Sequence, residues 1–426
     1  MNYFELEKQK TSIKKELFAG ISTFLTMSYV LILIPLVLSQ AGVNFGAALF
    51  ATAITSFLSC LMMGLVGNYP FAIAPGLGLN AVFAYSAVLN KGYTWQEALG
   101  CVFVTGFIML ILNLLGVRRR VMHEIPLPLQ CAVTAGIGLF LTFIGMKNIG
   151  LIEADSQMLV QFGGISLKST LAGLGVIGVA AAIYRGYTSS LFFSILIVWL
   201  FSLLFGLSKW EGIISWPSDP RPTFFQLDLS VFWRPERWDL IFSMVFIMLF
   251  DSTGSIIALA QQGGFFTKDG QLPRSKRAFI PDSIGSMLAG LLGTSNTTIF
   301  LESLTGILSG GRTGIATITT GFCFLIALFF TPLARSIPLF ATAPVHIVIG
   351  CMMLAHIAKI QWDDATDYIP ASLVLMTIPF TFSIVDGVAI GLITFPVIKL
   401  LSGKKEQTGP IIWIVWFLLI IRYFYI

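Results

Sequence analysis

The sequence predicts an all-α polytopic membrane protein of about fourteen spans, built as a seven-plus-seven inverted repeat in which spans three and ten are broken into short half-helices. Three observations predict it. Of 426 residues, 56% are hydrophobic and only 11% charged, with a mean hydropathy of +0.86, far from the usage of soluble domains. Apolar stretches near the roughly 20 residues needed to cross a bilayer recur along the chain. Two Gly- or Pro-interrupted apolar segments stand at matching places in its halves, as in many secondary transporters.

The spans begin near Phe18, Ala47, Ala72, Ala98, Leu129, Ser169, Ser189, Leu240, Ile280, Thr297, Thr313, Ala341, Pro370 and Asp386. The first stretch, Phe18 to Leu38, is longer than the apolar region of a signal peptide and lacks a small-residue cleavage site, so it reads as a span. The expected layout is a cytoplasmic N-terminal segment (1–17), a first repeat (18–206), an external loop (207–239), a second repeat (240–402) and a C-terminal apolar segment (403–426) that crosses the membrane or lies in its interface. The whole is one membrane transport domain in the lipid bilayer.

Basic residues supply the orientation, because short loops rich in Lys and Arg stay cytoplasmic. Lys8, Lys10, Lys14 and Lys15 precede span one, Arg118 to Arg120 follow span four, and Arg185 follows span six. Lys268, Arg274, Lys276 and Arg277 follow span eight, Arg312 follows span ten, and Lys399, Lys404 and Lys405 follow span fourteen. All fall on one side if both termini are cytoplasmic, in the cytoplasmic (inner) membrane. The net charge of +5 is therefore topology and points to no nucleic acid. Trp210, Trp216, Trp233 and Trp238 of the long external loop suit an interfacial aromatic belt. The five cysteines (60, 101, 131, 323 and 351) sit in apolar segments at spacings that fit neither disulfides nor zinc, and read as packing residues.

A break in mid-membrane leaves the first N–H groups of the following half-helix without intrahelical partners. Ala74 to Ala81 (APGLGLNA) breaks span three and Gly293 to Thr298 (GTSNTT) breaks span ten. Half-helices beginning at Leu79-Asn80 and near Thr297-Thr298 would aim their positive ends at one central cavity. Two carboxylates stand in the same neighbourhood. Asp251 is the only charged residue between Asp239 and Lys268, and Glu302 the only one between Asp282 and Arg312. An intramembrane carboxylate costs about 2.5–3.5 kcal/mol on insertion scales and usually marks a site or a proton path. The alternative for each is a neutral acid bonded to nearby backbone.

Asn80 either meets a ligand or caps its own half-helix. Phe83 or Tyr85 stacks on an aromatic ligand or simply packs, and Thr26, Tyr29 and Thr253 line the cavity or pack. His346 reads better as a helix-packing hydrogen bond than as a proton relay, and Asp282 and Asp386 read as caps near span ends. There is no HExxH, GxSxG, P-loop or complete GxGxxG. Nothing here hydrolyses ATP or indicates an enzyme or a bound cofactor, so coupling to H+, with Na+ the alternative, is the default.

The chain resembles the nucleobase:cation symporter-2 superfamily, in particular its AzgA-like branch of adenine, guanine and hypoxanthine permeases. The likeness is carried by Gly20 to Tyr29 (GISTFLTMSY), Pro70 to Tyr85 (PFAIAPGLGLNAVFAY), Gly136 to Ile152, Phe250 to Ala260 (FDSTGSIIALA), Gly293 to Thr313 (GTSNTTIFLESLTGILSGGRT) and Ala341 to Gly350 (ATAPVHIVIG). It implies a core domain of spans one to four and eight to eleven, a gate domain of the rest, and a site between them holding a purine nucleobase. The family's binding positions fall on Asn80, Asp251 and Glu302, with Thr26 and Thr253 following and Phe83 and Thr298 beside them. Asp251 and Glu302 would also carry the proton. Homodimerisation is a family-level expectation.

The sequence departs from the family pattern in places. DTxGT reads Asp251-Ser252-Thr253-Gly254-Ser255, and TTYIES reads Thr297 to Ser303 without its tyrosine. Val82 stands where an aromatic is common, and His346 is unusual in its segment. These differences bear on which purine is preferred. The competing readings are a uracil or xanthine permease of the same fold, an anion transporter on that fold, and a channel.

Overall fold

The computed structural model describes residues 2–116, 126–155, 159–187, 189–267, 272–404, 406 and 408–425. Arg118, Arg119, Arg120, Lys268 and Lys405 lie outside the described residues. Span one is two helices, Ile13–Met27 and Val30–Gln40, separated at Ser28-Tyr29. Span two runs through Phe45–Met62, and span three comprises strand β1 (Ile73–Pro75), a helix Leu77–Ala81 and a wider π-type continuation Val82–Asn90. Spans four to seven are Trp95–Leu114, Leu127–Asn148, Leu167–Tyr184 and Ser190–Leu204, with a small hairpin of β2 (Ile152–Asp155) and β3 (Leu159–Phe162) between five and six.

The second half repeats the plan. Span eight is Trp238–Gly263, span nine Ser275–Leu292, and span ten strand β4 (Thr297–Ile299) followed by the helix Ser303–Leu308. Span eleven starts with Gly314–Ala327 and runs on through Thr331–Ser336; twelve, thirteen and fourteen are Ala343–Leu354, Ala365–Thr381 and Ile384–Leu401. A last helix, Pro410–Tyr425, packs on span fourteen. Nine helical stretches among the described residues are long and apolar enough to cross a membrane by themselves. Span nine is not one of them. It carries three serines, two basic residues and Asp282, and is enclosed by spans two and four, so protein rather than lipid is its solvent.

Two packing groups result. Span one lies on ten and eleven, eleven on two, nine on four and two, and eight on four, which makes the core. Span five lies on twelve, thirteen and fourteen, and six on seven and twelve, which makes the gate. Glycines set the closest approaches in the core. A Cβ on Gly306 would stand 2.1 Å from Thr23 Oγ1 and 2.7 Å from the Ala19 carbonyl, and one on Gly20 would stand 2.4 Å from the Ala316 carbonyl. Spans one, ten and eleven therefore meet backbone to backbone.

The loop after span seven bridges the two groups. It leaves the gate with Trp210 stacked on Trp199 at 5.6 Å. It then fastens to the core: Ser215 N–H donates to Phe329 O, Phe225 N–H to Leu291 O and Asp228 N–H to Gln96 O, at 2.9, 2.8 and 3.0 Å. Trp210, Trp216, Trp233 and Trp238 are all exposed.

Two expectations change. Asp282 is not a cap: it sits in the middle of span nine, fully buried, where the many small and hydroxyl residues of that helix let a carboxylate enter the core. The second half-helix does not begin at Thr297-Thr298, because those residues are extended in β4 and helix resumes only at Ser303. Thr-Thr-Ile is a β-branched run, which favours the extended chain. Asp386 lies in the first helical turn of span fourteen, where Ser383 Oγ caps its backbone N–H at 3.2 Å. His346 is buried with Nδ1 3.2 Å from the Thr342 carbonyl, a bond within its own helix.

Candidate functional site

The two broken spans meet as an antiparallel strand pair, with Ile73 opposite Ile299, Ala74 opposite Thr298 and Pro75 opposite Thr297. The pairing satisfies backbone that neither break could satisfy alone in an apolar interior. Neighbouring bonds extend it: Gly76 N–H donates to Asn296 O at 2.9 Å, Phe300 N–H to Ala72 O at 3.0 Å, and Ala72 N–H to Ser303 Oγ at 2.9 Å. Gly76 is required here, since a Cβ would stand 2.7 Å from Thr298 Cγ2.

From this pair a half-helix leaves on each side. The first intrahelical bond of span three is Asn80 N–H to Gly76 O, 2.8 Å, so Leu77, Gly78 and Leu79 present the N-terminal donors of that helix. Asn80 is buried and its Oδ1 has no partner among the described residues. Such an atom is an acceptor held ready, because an unpaired buried oxygen costs about 1–3 kcal/mol. Gly78 faces the gate: a Cβ there would be 3.3 Å from Ile137 Cγ2 of span five.

Asp251 comes to the same place from span eight, its side chain near that of Thr298. Ser252 Oγ lies 3.4 Å from Thr298 Oγ1. Asp251 is exposed as a residue, although Leu240 and Ile241 and residues 246–250 before it are buried. Exposure continues from Asp251 along one helix face through Gly254, Ile257 and Gln261, the spacing of successive turns. On span ten Leu301 and Leu308 are exposed too, and Glu302 is half-buried. An exposed face thus runs from Asp251 towards the end of span eight that meets Arg312, whereas the opposite half of the helix is mostly buried.

Glu302 stands just before its half-helix, within electrostatic range of Asp251. Tyr29 hydroxyl donates to its Oε1 at 2.6 Å, and Thr26 Oγ1 lies 3.4 Å from its backbone carbonyl. The structure therefore gathers Asp251, Thr298, Glu302 and Tyr29 at the strand pair, with Asn80 on the half-helix alongside. Of the remaining expected residues Thr26 touches Glu302 from span one, while Phe83 and Thr253 pack elsewhere. Phe83 is fully buried in the apolar core, Thr253 donates to the Leu249 carbonyl at 2.7 Å, and Thr26 is fully buried with its hydroxyl 2.8 Å from the Thr23 carbonyl.

Comparison with known proteins fixes the class. The model described as the permease family matches residues 14–390. The chain belongs to the permease family. This is the nucleobase:cation symporter-2 group that the motifs resemble. Among its relatives are a putative permease of Methanocaldococcus jannaschii, 39% identical over 100% of this chain and 98% of the relative, and an adenine permease of Escherichia coli, 34% identical over 99% and 95%. A guanine/hypoxanthine permease of Bacillus subtilis is 36% identical over 96% of each. In fold the permease is similar to the transmembrane domain of a cyanobacterial bicarbonate transporter, with a TM-score of 0.64 and 16% identity over 89% of this chain and 97% of that one. It is also similar to the anion transporter family member SLC26A9, with a TM-score of 0.65 and 11% identity over 92% and 67%. This permease is thus a multi-pass integral membrane transporter with the inverted-repeat fold, not an enzyme.

Proposed function

We propose that this permease imports purine nucleobases such as adenine, guanine and hypoxanthine by symport with a proton, the core moving against the gate. The observation that carries the reading is the pair of intramembrane carboxylates, Asp251 and Glu302, at the strand pair where the exposed face of span eight begins. A purine is flat, offers N–H donors to carboxylates, and has ring nitrogens or carbonyls that accept from a half-helix N-terminus or an amide. The relatives' names supply the substrate class, and they include both adenine and guanine/hypoxanthine carriers.

The carboxylates are also natural proton carriers. One proton moving down a potential of about 100 mV provides about 2.3 kcal/mol, enough for roughly fifty-fold accumulation of a neutral solute. Placing the basic end in the cytoplasm puts both termini there and makes this conformation open to the cell interior. The resemblance to anion carriers in fold does not extend to charge: segments 240–267 and 283–311 contain carboxylates and no Lys or Arg.

The test is uptake of labelled adenine, guanine, hypoxanthine and uracil into cells lacking their own carriers, with and without a protonophore. Purine uptake is expected to collapse with the protonophore, and to fall at least ten-fold in Asp251→Asn and Glu302→Gln at equal membrane abundance. Uptake of uracil alone would reassign the substrate. Purine uptake indifferent to the protonophore and to both substitutions would remove the coupling and the site together.

A further inference from the structure

We propose that Tyr29 is the positioning residue for Glu302: its hydroxyl holds one carboxylate oxygen of Glu302 so that the other is presented, already oriented, to an N–H of the substrate. The inference rests on the reading of Glu302 as a substrate ligand and adds to it a device in span one.

The geometry is specific. Tyr29 is 1% exposed, so its hydroxyl has little access to water, and a buried phenol needs a partner. That partner is Glu302 Oε1 at 2.6 Å, the length of a charge-assisted O–H···O bond. Tyr29 also stands at the interruption of span one. The helix ends at Met27 and resumes at Val30, with short-range bonds from Leu31 N–H to Ser28 O and Ile32 N–H to Tyr29 O, both 3.1 Å. The break thus falls beside the span-ten residue that the tyrosine reaches.

Both partners are fixed to one body. Gly306 lets span ten touch the backbone of span one at Ala19. Thr320 Oγ1 donates to the Gly20 carbonyl at 2.9 Å, tying span eleven to the same helix. Tyr29 and Glu302 therefore travel together when the core moves, and the bond is a permanent brace rather than a gate contact. A free glutamate side chain loses about 1.5–2 kcal/mol of rotamer entropy on being ordered; the brace makes that loss during folding instead of on binding, which is pre-organisation. Its removal should weaken binding more than turnover.

The experiment is equilibrium binding of labelled purine to the purified protein, paired with uptake kinetics, for wild type, Tyr29→Phe, Tyr29→Leu and Tyr29→His. Phenylalanine keeps the ring and removes only the donor. The expected result is a rise of about ten-fold in Kd and KM for Tyr29→Phe, with maximal uptake within about two-fold and thermal unfolding near that of wild type. A packing role predicts the reverse order, with Phe harmless and Leu damaging. Wild-type affinity in Tyr29→Phe overturns the proposal.

If the Phe variant does not accumulate, Tyr29→His supplies the comparison, since it retains a ring N–H. Affinity within about three-fold of wild type supports the proposal, and a loss as large as that of Tyr29→Leu overturns it. Wild-type protein that binds no purine would instead refute the substrate assignment, so the two failures are separable.

Discussion

At the scale of single residues, this molecule is governed by where it leaves out side-chain atoms and where it inserts charge. Gly306 is the clearest omission. Its missing Cβ is filled by Thr23 Oγ1 and the Ala19 carbonyl, and the second of these is backbone that cannot rotate away. Gly306→Ala should therefore lower the thermal stability of the purified protein by the equivalent of about 1–3 kcal/mol, as overpacking does. Adding Thr23→Ala should recover only part, because the carbonyl remains. An unfolding scan in detergent that shows no loss for Gly306→Ala would mean the two spans separate more readily than their backbone contact implies.

At the scale of elements, the sequence announced the breaks but not how they are joined. Ala74 to Ala81 and Gly293 to Thr298 were recognisable from Gly, Pro and Asn in otherwise apolar runs, and Asp251 and Glu302 from charge where charge is expensive. The pairing of Ile73–Pro75 with Thr297–Ile299 was not legible, because a strand of three residues has no measurable period and its partner lies in the other half of the chain. The buried place of Asp282 is not legible for a related reason: hydropathy assumes lipid around a helix, whereas span nine is surrounded by other helices.

Helix ends outside the apolar zone carry their own fastening. Lys399, 1% exposed in its side chain, meets Asp367 Oδ1 at 3.0 Å and Asp364 Oδ2 at 3.6 Å, and Lys404 meets Asp364 Oδ2 at 2.6 Å. These contacts clamp the start of span thirteen to the end of span fourteen. The Lys404 hydrogen bond, with those from Thr366, holds the Asp364 carboxyl well below the usual carboxylate range. A depressed carboxyl contributes stability that is fully present above the unfolded value near 3.9 and is lost as pH falls through the folded one. The Asp364 contacts are therefore intact throughout the neutral range, and pH dependence of uptake there must arise elsewhere. Asp367→Asn takes the nearer of two carboxylates from a buried ammonium and leaves Asp364 at 3.6 Å; it should destabilise the gate by about 1.5–3 kcal/mol, while Lys399→Met with Asp367→Leu should restore most of it. Equal unfolding temperatures for the single and double variants would refute this account of the clamp.

At the scale of the whole molecule, the two packing groups predict which distances stay fixed during transport and which change. The core is held together across spans one, two, four and nine to eleven by backbone-close contacts, whereas the half-helix of span three faces the gate along a seam that includes Gly78 and Ile137. Movement of core against gate must change that seam and spare the interior of the core. Two cysteine pairs separate these cases in a background with the five native cysteines replaced. Gly78→Cys with Ile137→Cys spans the seam, where a Cβ at 78 would lie 3.3 Å from the Ile137 side chain. Phe103→Cys with Gly290→Cys joins spans four and nine inside the core, where the two Cβ atoms would lie 3.0 Å apart. Both pairs are close enough to oxidise after a small backbone adjustment. Oxidation of the first should arrest uptake, with recovery on reduction, because it holds the transporter in one state. Oxidation of the second should leave uptake within about two-fold, because nothing need move between those helices. If the seam pair cross-links fully and purines still accumulate, the core does not travel against span five, and transport must proceed by smaller rearrangements of the half-helices around Asp251 and Glu302.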